Sequence, residues 1–102
     1  MVLLELSIYP LDKGESVGEY VARCLDIIDR SGLAYQCHAM GTTLEGEYGA
    51  VMGVVGQCFA ALEPDCNRIE CIIKLDYRKD VQNRLHGKVR SVEQRLGRSV
   101  KR

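Results

Sequence analysis

The 102-residue chain carries 14 basic and 14 acidic side chains, and 46% of its residues are hydrophobic. This apolar content, with 27% charged residues, is typical of globular proteins and excludes a disordered chain. No run of apolar residues is long enough to form a membrane-spanning helix. We therefore expect a single domain over residues 1–102, of a size that often depends on disulfides, metal or oligomerisation for additional stability.

Five cysteines are scattered through the predicted core elements, and no C-x-x-C motif occurs. The N-terminal residues lack the basic segment of a secretory signal and reach a carboxylate at Glu5. The thiols are therefore interpreted as reduced, buried, small hydrophobic groups of a cytoplasmic protein. These cysteines are Cys24, Cys37, Cys58, Cys66 and Cys71.

Positive charge is concentrated at the end of the chain. Residues 74–102 hold 10 basic and 3 acidic side chains, whereas residues 1–73 hold 4 and 11. A basic helix can bind phosphate or nucleic acid, but no aromatic residue follows Tyr77 to stack on bases. We interpret the segment as a solvated face that pairs with acidic groups of the same chain or a neighbouring subunit. No nucleic-acid or membrane partner is expected.

The first strand and the first helix are predicted most clearly. Residues 2–9 alternate as in a strand with one buried and one mixed face, and Pro10 ends it. Ser16 and Glu19 have the spacing of a capping box, in which each side chain satisfies a free amide at the start of a helix. Apolar residues recur behind it at helical spacing, and Ser31-Gly32 provides a stop.

Two short strands, residues 34–38 and 42–45, are predicted around a tight connection near Gly41. A second helix begins near Glu47 and ends at Pro64. Three glycines weaken this helix by about 1 kcal/mol each relative to alanine, unless they allow close approach of a backbone or ligand. They are Gly49, Gly53 and Gly56.

The last two elements are a strand and a basic helix. Residues 68–77 alternate clearly, and a helix over about residues 81–96 follows. Its apolar seam is narrow, as in a coiled coil, which favours packing on a partner as much as on its own domain. The seam consists of Leu85, Val89, Val92 and Leu96.

The element order is β-α-β-β-α-β with a C-terminal helix. Right-handed crossovers then leave one simple arrangement, in which the first and third strands are central neighbours. The sequence thus predicts a ferredoxin-like α+β sandwich with a four-stranded antiparallel sheet, helices on one face, and an additional C-terminal helix.

The uncovered face of this sheet mixes apolar groups with carboxylates, hydroxyls and a tyrosine. Such a surface suits either a wet subunit interface or a polar ligand site. The register across the Gly41 turn stays open, so the outward-facing residues of the second and third strands are not fixed. The polar candidates are Glu5, Ser7, Tyr9, Gln36, His38, Thr43 and Glu45, with Thr42 and Tyr35 as the alternatives.

The chemistry of these side chains suits a small, flat, positively charged ligand. Glu5 and Glu45 repel each other unless a cation, a lysine or a proton intervenes. Ser7 and Thr43 offer hydroxyls that donate and accept hydrogen bonds, and a tyrosine can stack on a cationic ring. The alternative interpretation is structural cross-strand pairing without a ligand.

No enzyme site is recognisable, and we expect no catalysis. Cys37 and His38 are adjacent in a strand and point to opposite faces, so they cannot form a nucleophile pair. No metal-ligand spacing, P-loop or dinucleotide motif occurs, so neither a metal nor a cofactor is expected. Paired carboxylates at Glu5 and Glu45 are the remaining enzyme alternative. RNA recognition is disfavoured because the strand at residues 42–46 has no aromatic side chain.

Several strings carry a family resemblance over nearly the whole chain. The most specific are M-G-T-T-L-E-G at residues 40–46 and K-V-R-S-V at residues 88–92. The strand ending S-I-Y-P-L at residues 7–11 and the strand I-K-L-D-Y-R at residues 73–78 are weaker signals. In this order and spacing the chain resembles the thiamine-binding, YkoF-like family.

The resemblance implies a ferredoxin-like fold assembled as a homotetramer, a dimer of dimers in which sheets of different subunits pack together. It also implies binding of thiamine or its hydroxymethyl-pyrimidine half without established catalysis. A structural or regulatory oligomerisation module without a ligand is the alternative from another functional class.

The resemblance also suggests roles for individual residues. Ser7 and either Thr42 or Thr43 would hydrogen-bond the aminopyrimidine of thiamine. Glu45 or Glu5 would face the thiazolium cation, and an aromatic residue would stack on a ring; Tyr9 is the aromatic that the resemblance suggests, and side-chain chemistry alone adds Tyr35 and Tyr48.

Overall fold

A computed structural model describes residues 1–102 and contains all the elements that the sequence predicts, with ends shifted by up to three residues. One turn of 3-10 helix, Glu63–Asp65, follows the second α-helix and contains Pro64. The elements are β1 (Val2–Pro10), α1 (Gly18–Arg30), β2 (Ala34–His38), β3 (Gly41–Gly46), α2 (Tyr48–Leu62), β4 (Ile69–Tyr77) and α3 (Arg84–Leu96).

The four strands form one antiparallel sheet in the order β2-β3-β1-β4. This order confirms the ferredoxin-like α+β fold and the central position of β1 and β3. β4 pairs with β1 along its whole length, from Val2 opposite Tyr77 to Pro10 opposite Ile69. β3 pairs with β1 only as far as Leu6 opposite Thr42. The last residues of β1 therefore have a strand on one side only.

The core lies between the sheet and the helices α1 and α2. Alternate residues of β1 point into it because side chains of a strand alternate between faces, and Leu4 is fully buried. Leu44 of β3 and Val51 of α2 are also fully buried. The cluster comprises Val2, Leu4, Leu6, Ile8, Cys24, Ile28, Leu44, Val51, Val54, Val55, Cys58 and Leu62.

The predicted capping box of α1 is wrong. The residue that precedes the helix is Val17, whose carbonyl accepts from the N–H groups of Tyr20 and Val21. No side chain caps this end. Glu19 instead pairs with Arg23 one turn along the helix, with 3.2 Å between Oε1 and Nη2. The helix thus begins too late for Ser16 to reach its free amides.

The three glycines of α2 make no close approach within this chain. A Cβ atom built at Gly49, Gly53 or Gly56 would meet no other heavy atom within 4 Å. The alternative that they admit a neighbouring backbone therefore has no support here, and their effect is to weaken the helix.

The expectation that helices cover only one face of the sheet is wrong for the half formed by β2 and β3. α3 begins beside Glu45, whose carboxylate accepts from the backbone N–H groups of Arg84 (2.8 Å) and Leu85 (3.3 Å). Glu45 lies opposite Leu3 and Ala34, on the face away from the core. α3 therefore sits on the face that was expected to be open.

The cysteines are free, but not all are buried as predicted. Cys24 and Cys58 lie in the core, where each thiol faces the backbone carbonyl of the other residue, and Cys66 is half-buried. Cys37 and Cys71 are exposed. They lie on β2 and β4, the two edge strands, on the core side of the sheet where neither helix extends over them.

Asp12 joins the turn after β1 to the start of β4. Its carboxylate accepts from the backbone N–H groups of Asn67 (2.9 Å) and Arg68 (3.2 Å). These hydrogen bonds, that of Asn67 foremost, favour the charged form and hold the pKa of Asp12 below its ordinary value.

This lowered pKa predicts a pH-dependent stability contribution. A carboxylate whose pKa is lower in the folded than in the unfolded state stabilises the fold. This stabilisation is fully present when the pH is above the pKa of the unfolded state, near 4, and is lost as the pH falls through the pKa of the folded state. Asp12→Asn should therefore lower the free energy of unfolding at pH 7 and have progressively less effect towards pH about 2. Urea unfolding at several pH values measures this, with the exposed Glu15→Gln as control. An effect of Asp12→Asn that is independent of pH would contradict the role of the charge.

None of the helices has both the length and the apolar character needed to cross a membrane.

Candidate functional site

A cavity of about 580 Å³ opens where β3 ends and β1 continues. Its walls are residues 5–9 of β1, the β2–β3 turn at residues 37–42, and one side of α1 from Val17, just before the helix, to Ile28. Because β3 stops pairing at Leu6, the backbone groups of Ser7 to Pro10 on this side have no strand partner. Such groups can hydrogen-bond a bound molecule. The volume lies within the range of small-molecule sites.

Glu5 and His38 form a polar end of this cavity. Nε2 of His38 lies 3.7 Å from Oε2 of Glu5, and both side chains are partly exposed. Thr43 lies directly opposite Glu5 in the neighbouring strand, on the same face. The Nδ1 atom of His38 accepts from the N–H of Met40 at 3.4 Å, which orients the ring within the turn. The carboxylate is thus held at the cavity wall, between Thr43 of β3 and Lys74 of β4, which lies opposite Glu5 on its other side.

Ser7 and Tyr9 line the cavity on the same face of β1 as Glu5. Tyr9 lies opposite Glu70 of β4, and partial burial together with this carboxylate raises the pKa of the Tyr9 phenol. The phenol therefore stays neutral at physiological pH and can donate a hydrogen bond. Ile72, opposite Ser7, adds an apolar surface to the wall.

Thr42 and Tyr35 do not lie on the outer face of the sheet. Tyr35 pairs with Leu44 of the core, and its hydroxyl donates to Oδ1 of Asp29 at 2.6 Å. This hydrogen bond, followed by burial, raises the pKa of Tyr35. Thr42 pairs with Leu6 and is buried, but it reaches the cavity from the core side. The register therefore selects Gln36, His38, Thr43 and Glu45 for the outer face.

Glu45 does not line the cavity. It is 6% exposed, and its two oxygens accept the first backbone N–H groups of α3. Glu5 and Glu45 are therefore not a pair of free carboxylates, since α3 occupies one of them. Of the seven site residues named from sequence, the structure brings Glu5, Ser7, Tyr9 and Thr42 to the cavity wall, and it leaves Thr43, Glu45 and Tyr35 outside that wall.

A second cavity, of about 380 Å³, lies between the C-terminal end of α1 and the middle of α2. Arg30 is its one charged lining residue, and it contains no carboxylate. A cationic ligand is therefore favoured at the first cavity and disfavoured at the second.

The sequence model of the thiamine-binding protein family matches residues 4–93. This stretch contains β2, β3 and β4, all but the first two residues of β1, and most of α3. The chain belongs to the thiamine-binding protein family. The resemblance in the strings at residues 40–46 and 88–92 is thereby confirmed.

Named relatives of this chain are of similar length. The UPF0045 protein MJ1052 of Methanocaldococcus jannaschii is 32% identical over 91 residues, which cover 89% of this chain and 91% of the relative. The UPF0045 protein Mb1933 of Mycobacterium bovis is 38% identical over 96 residues, which cover 93% of this chain and 94% of the relative.

Solved structures share the fold. The crystal structure of MJ1052 superposes with a TM-score of 0.84 at 31% identity and covers 91% of this chain and 96% of that one. A candidate thiamine biosynthesis/salvage protein of Thermotoga maritima, TM0486, has a TM-score of 0.79 at 23% identity, covering 89% of this chain and 97% of that one. At that identity the second likeness shows the fold alone.

Sequence reasoning missed the contribution of α1 and of the β2–β3 turn to this family member's cavity. Val17, just before α1, and Val21 and Leu25 within it supply an apolar wall, and Met40 of the turn, 83% exposed, lies at its edge. The periodicity of α1 placed these residues on the apolar face of the helix. The predicted strands, residues 2–9 and 42–45, already differ in length, but they do not show which residues of α1 lie beside the unpaired end of β1.

Proposed function

We propose that this protein binds thiamine, or its hydroxymethyl-pyrimidine half, non-covalently in the cavity at the end of β1, without catalysing a reaction. One observation supports this proposal most strongly: the partly exposed carboxylate of Glu5 lines a cavity that also has hydroxyl and apolar side chains. The chain that contains this cavity is a member of the thiamine-binding protein family. A thiazolium ring is cationic and flat, and an aminopyrimidine has hydrogen-bond donors and acceptors. The cavity offers a carboxylate for the cation and hydroxyl and backbone groups for the hydrogen bonds.

Each part of the ligand is assigned to a wall. Glu5 faces the thiazolium cation, while the Ser7 hydroxyl and the unpaired backbone of residues 7–10 bind the aminopyrimidine. Tyr9 covers a ring face, and the apolar side chains of α1 exclude water from the other side. Thr42 adds a hydroxyl from the core side. Thr43 acts indirectly, as the neighbour that positions Glu5.

This proposal assigns the cation to Glu5 and not to Glu45. Replacing Glu5 with glutamine should weaken thiamine binding about three- to tenfold, because one partly exposed charge interaction is lost. It should change binding of the uncharged hydroxymethyl-pyrimidine less than twofold. Isothermal titration calorimetry with both compounds measures the difference, and Glu47→Gln, an exposed carboxylate distant from the cavity wall, is the control.

Two results would count against the proposal. Equal losses for thiamine and for the pyrimidine would contradict a cation-facing Glu5. No heat and no thermal shift with wild-type protein at millimolar concentrations of both compounds would remove the binding function itself.

We also propose a cytoplasmic homo-oligomer, a tetramer built as a dimer of dimers. The radius of gyration is 15.0 Å, whereas a compact chain of this length has about 13 Å. Val92 and Leu96 of the α3 seam are each 49% exposed. These uncovered apolar groups favour association with further copies. They also support the second candidate function, an oligomerisation module without a small-molecule ligand. The calorimetric titration with thiamine distinguishes the two functions, because such a module would bind no thiamine.

A further inference from the structure

Two buried cysteines lie side by side where α1 packs on α2. Sγ of Cys24 is 3.8 Å from the backbone oxygen of Cys58, and Sγ of Cys58 is 3.6 Å from that of Cys24. Each thiol thus reaches the main chain of the other residue. Both cysteines belong to the core, and both thiols are free. Two nucleophilic groups on different helices are therefore held together inside the protein.

The cavity of the candidate site leads to one of these thiols. Cys24 lines that cavity, whereas Cys58 does not. The cavity volume of about 580 Å³ is many times that of a water molecule, about 30 Å³, and hydrogen peroxide is not much larger than water. A small oxidant can therefore reach Cys24 without unfolding of the chain, and it meets Cys58 only beyond Cys24.

The two thiols differ in reactivity. A hydrogen bond with the Cys58 side chain favours the thiolate of Cys24 and lowers the pKa of Cys24; burial opposes this effect, and the positive charge of Arg23 supports it. The same hydrogen bond, followed by burial, raises the pKa of Cys58. Because the thiolate is the reactive form of cysteine, Cys24 is the residue that reacts first.

We propose that Cys24 and Cys58 are a redox-active pair, which a hydroperoxide oxidises to a disulfide between α1 and α2. The proposal goes beyond the proposed function and does not depend on a ligand. It makes the packing of α1, one wall of the cavity, sensitive to peroxide. Thiol reductants reverse the reaction by thiol–disulfide exchange.

The reaction with hydrogen peroxide has two steps. The Cys24 thiolate attacks one oxygen of the peroxide, so that an S–O bond forms and the O–O bond breaks. The leaving hydroxide takes up a proton and becomes water. The sulfur of Cys58 then attacks the sulfur of the resulting sulfenic acid, and the oxygen leaves with the proton of Cys58 as a second water. Two thiols are oxidised, and one peroxide is reduced to two waters.

Cys71 is the competing second thiol. It lies on β4 opposite Ile8 and is exposed. Partial burial and, to a lesser extent, the charge of Cys24 raise the pKa of Cys71. Cys71 is therefore within electrostatic reach of Cys24 but makes no hydrogen bond with it, whereas Cys58 and Cys24 contact each other reciprocally. The geometry favours Cys58 as the partner.

Peptide mapping of the oxidised protein tests this pairing. The full chain is treated with an equimolar amount of hydrogen peroxide, the remaining thiols are blocked with N-ethylmaleimide, and the protein is digested with trypsin without reduction. Trypsin cleaves after Arg23 and Arg30, so Cys24 lies in peptide 24–30, Cys58 in peptide 31–68 and Cys71 in peptide 69–74. Peptides 24–30 and 31–68 should be linked, with the loss of two hydrogen atoms.

A variant with only two cysteines identifies the pair without any change in the core. Cys37→Ser, Cys66→Ser and Cys71→Ser together leave Cys24 and Cys58, and the same two peptides should be linked in this triple variant. The oxidised triple variant should unfold at a urea concentration higher by roughly 1 M or more than the reduced one, because a crosslink that fits the fold restrains only the unfolded chain.

A trapping experiment tests the order of the two steps. With Cys58→Ser, the sulfenic acid of Cys24 lacks its partner, so dimedone should label Cys24 about tenfold more than in the wild type. A link from peptide 24–30 to peptide 69–74, no link in the triple variant, an oxidised form that unfolds at lower urea than the reduced form, or no gain of label with Cys58→Ser would overturn the proposal. No thiamine is present in these measurements, so their outcome is independent of the ligand test.

Discussion

Glu45→Ala should lower the free energy of unfolding by about 2 kcal/mol, because the carboxylate holds α3 on the sheet. Its two oxygens accept the N–H groups of Arg84 and Leu85, which otherwise lack partners at the start of the helix. Hydrogen bonds to a charged group contribute about 1.5–3 kcal/mol. Arg84 adds a second attachment, since its guanidinium donates to Asp76 at 2.8 Å.

Urea unfolding at fixed chain concentration measures this effect. Glu45→Gln keeps one acceptor oxygen and should therefore lower the free energy of unfolding less than Glu45→Ala does. Glu15→Ala, an exposed carboxylate without hydrogen bonds or ion pairs, should change stability by less than about 0.5 kcal/mol. If Glu45→Ala and Glu15→Ala were equally stable, the carboxylate would not be what anchors α3.

Gly41→Ala should lower the free energy of unfolding by about 2 kcal/mol, because β3 passes very close to β1 at this residue. A Cβ atom at Gly41 would lie 2.7 Å from the backbone oxygen of Leu6. A backbone atom cannot rotate away as a side chain can, so the two strands must separate at the edge of the cavity. Thiamine binding should weaken together with stability.

Gly53→Ala is the matched control for this prediction. A Cβ atom there meets nothing within 4 Å, and alanine is a better helix former by about 1 kcal/mol. The two glycine variants should therefore change stability in opposite directions in the same unfolding experiment. A neutral Gly41→Ala would mean that the close contact between β3 and β1 is not maintained.

The sequence predicted the elements and their order because the alternation of β1 and the helical spacing of α1 and α2 reflect one shared core. It also predicted the outer-face positions of Glu5, Ser7 and Tyr9, since the alternation of β1 fixes them. It could not decide between Thr42 and Thr43, because register depends on the pairing across Gly41. The structure places Thr43 beside Glu5 on the outer face of the sheet, and Thr42 beside Leu6 on the core face.

The features that could not be predicted depend on contacts between residues far apart in the sequence. Glu45 lies 39 residues from Arg84, and nothing local in either segment indicates that one caps the other. The Ser16–Glu19 spacing fits a capping box, yet the chain enters α1 at Val17 and leaves the box unused. The cavity lies where β1 extends beyond its pairing with β3. The predicted strand lengths already differ, but the register that leaves residues 7–10 unpaired on this side depends on the pairing across Gly41. The family resemblance suggests a ligand class but indicates no location in the fold.

The central claim is that thiamine binds at the end of β1, and amide chemical-shift mapping of the ¹⁵N-labelled protein tests it most directly. Titration with thiamine should shift the amides of residues 5–9 and 37–42, which border the cavity. It should leave unchanged those of residues 50–57, beside the second cavity. Shifts confined to the second cavity, or no shifts at saturating thiamine, would contradict the account.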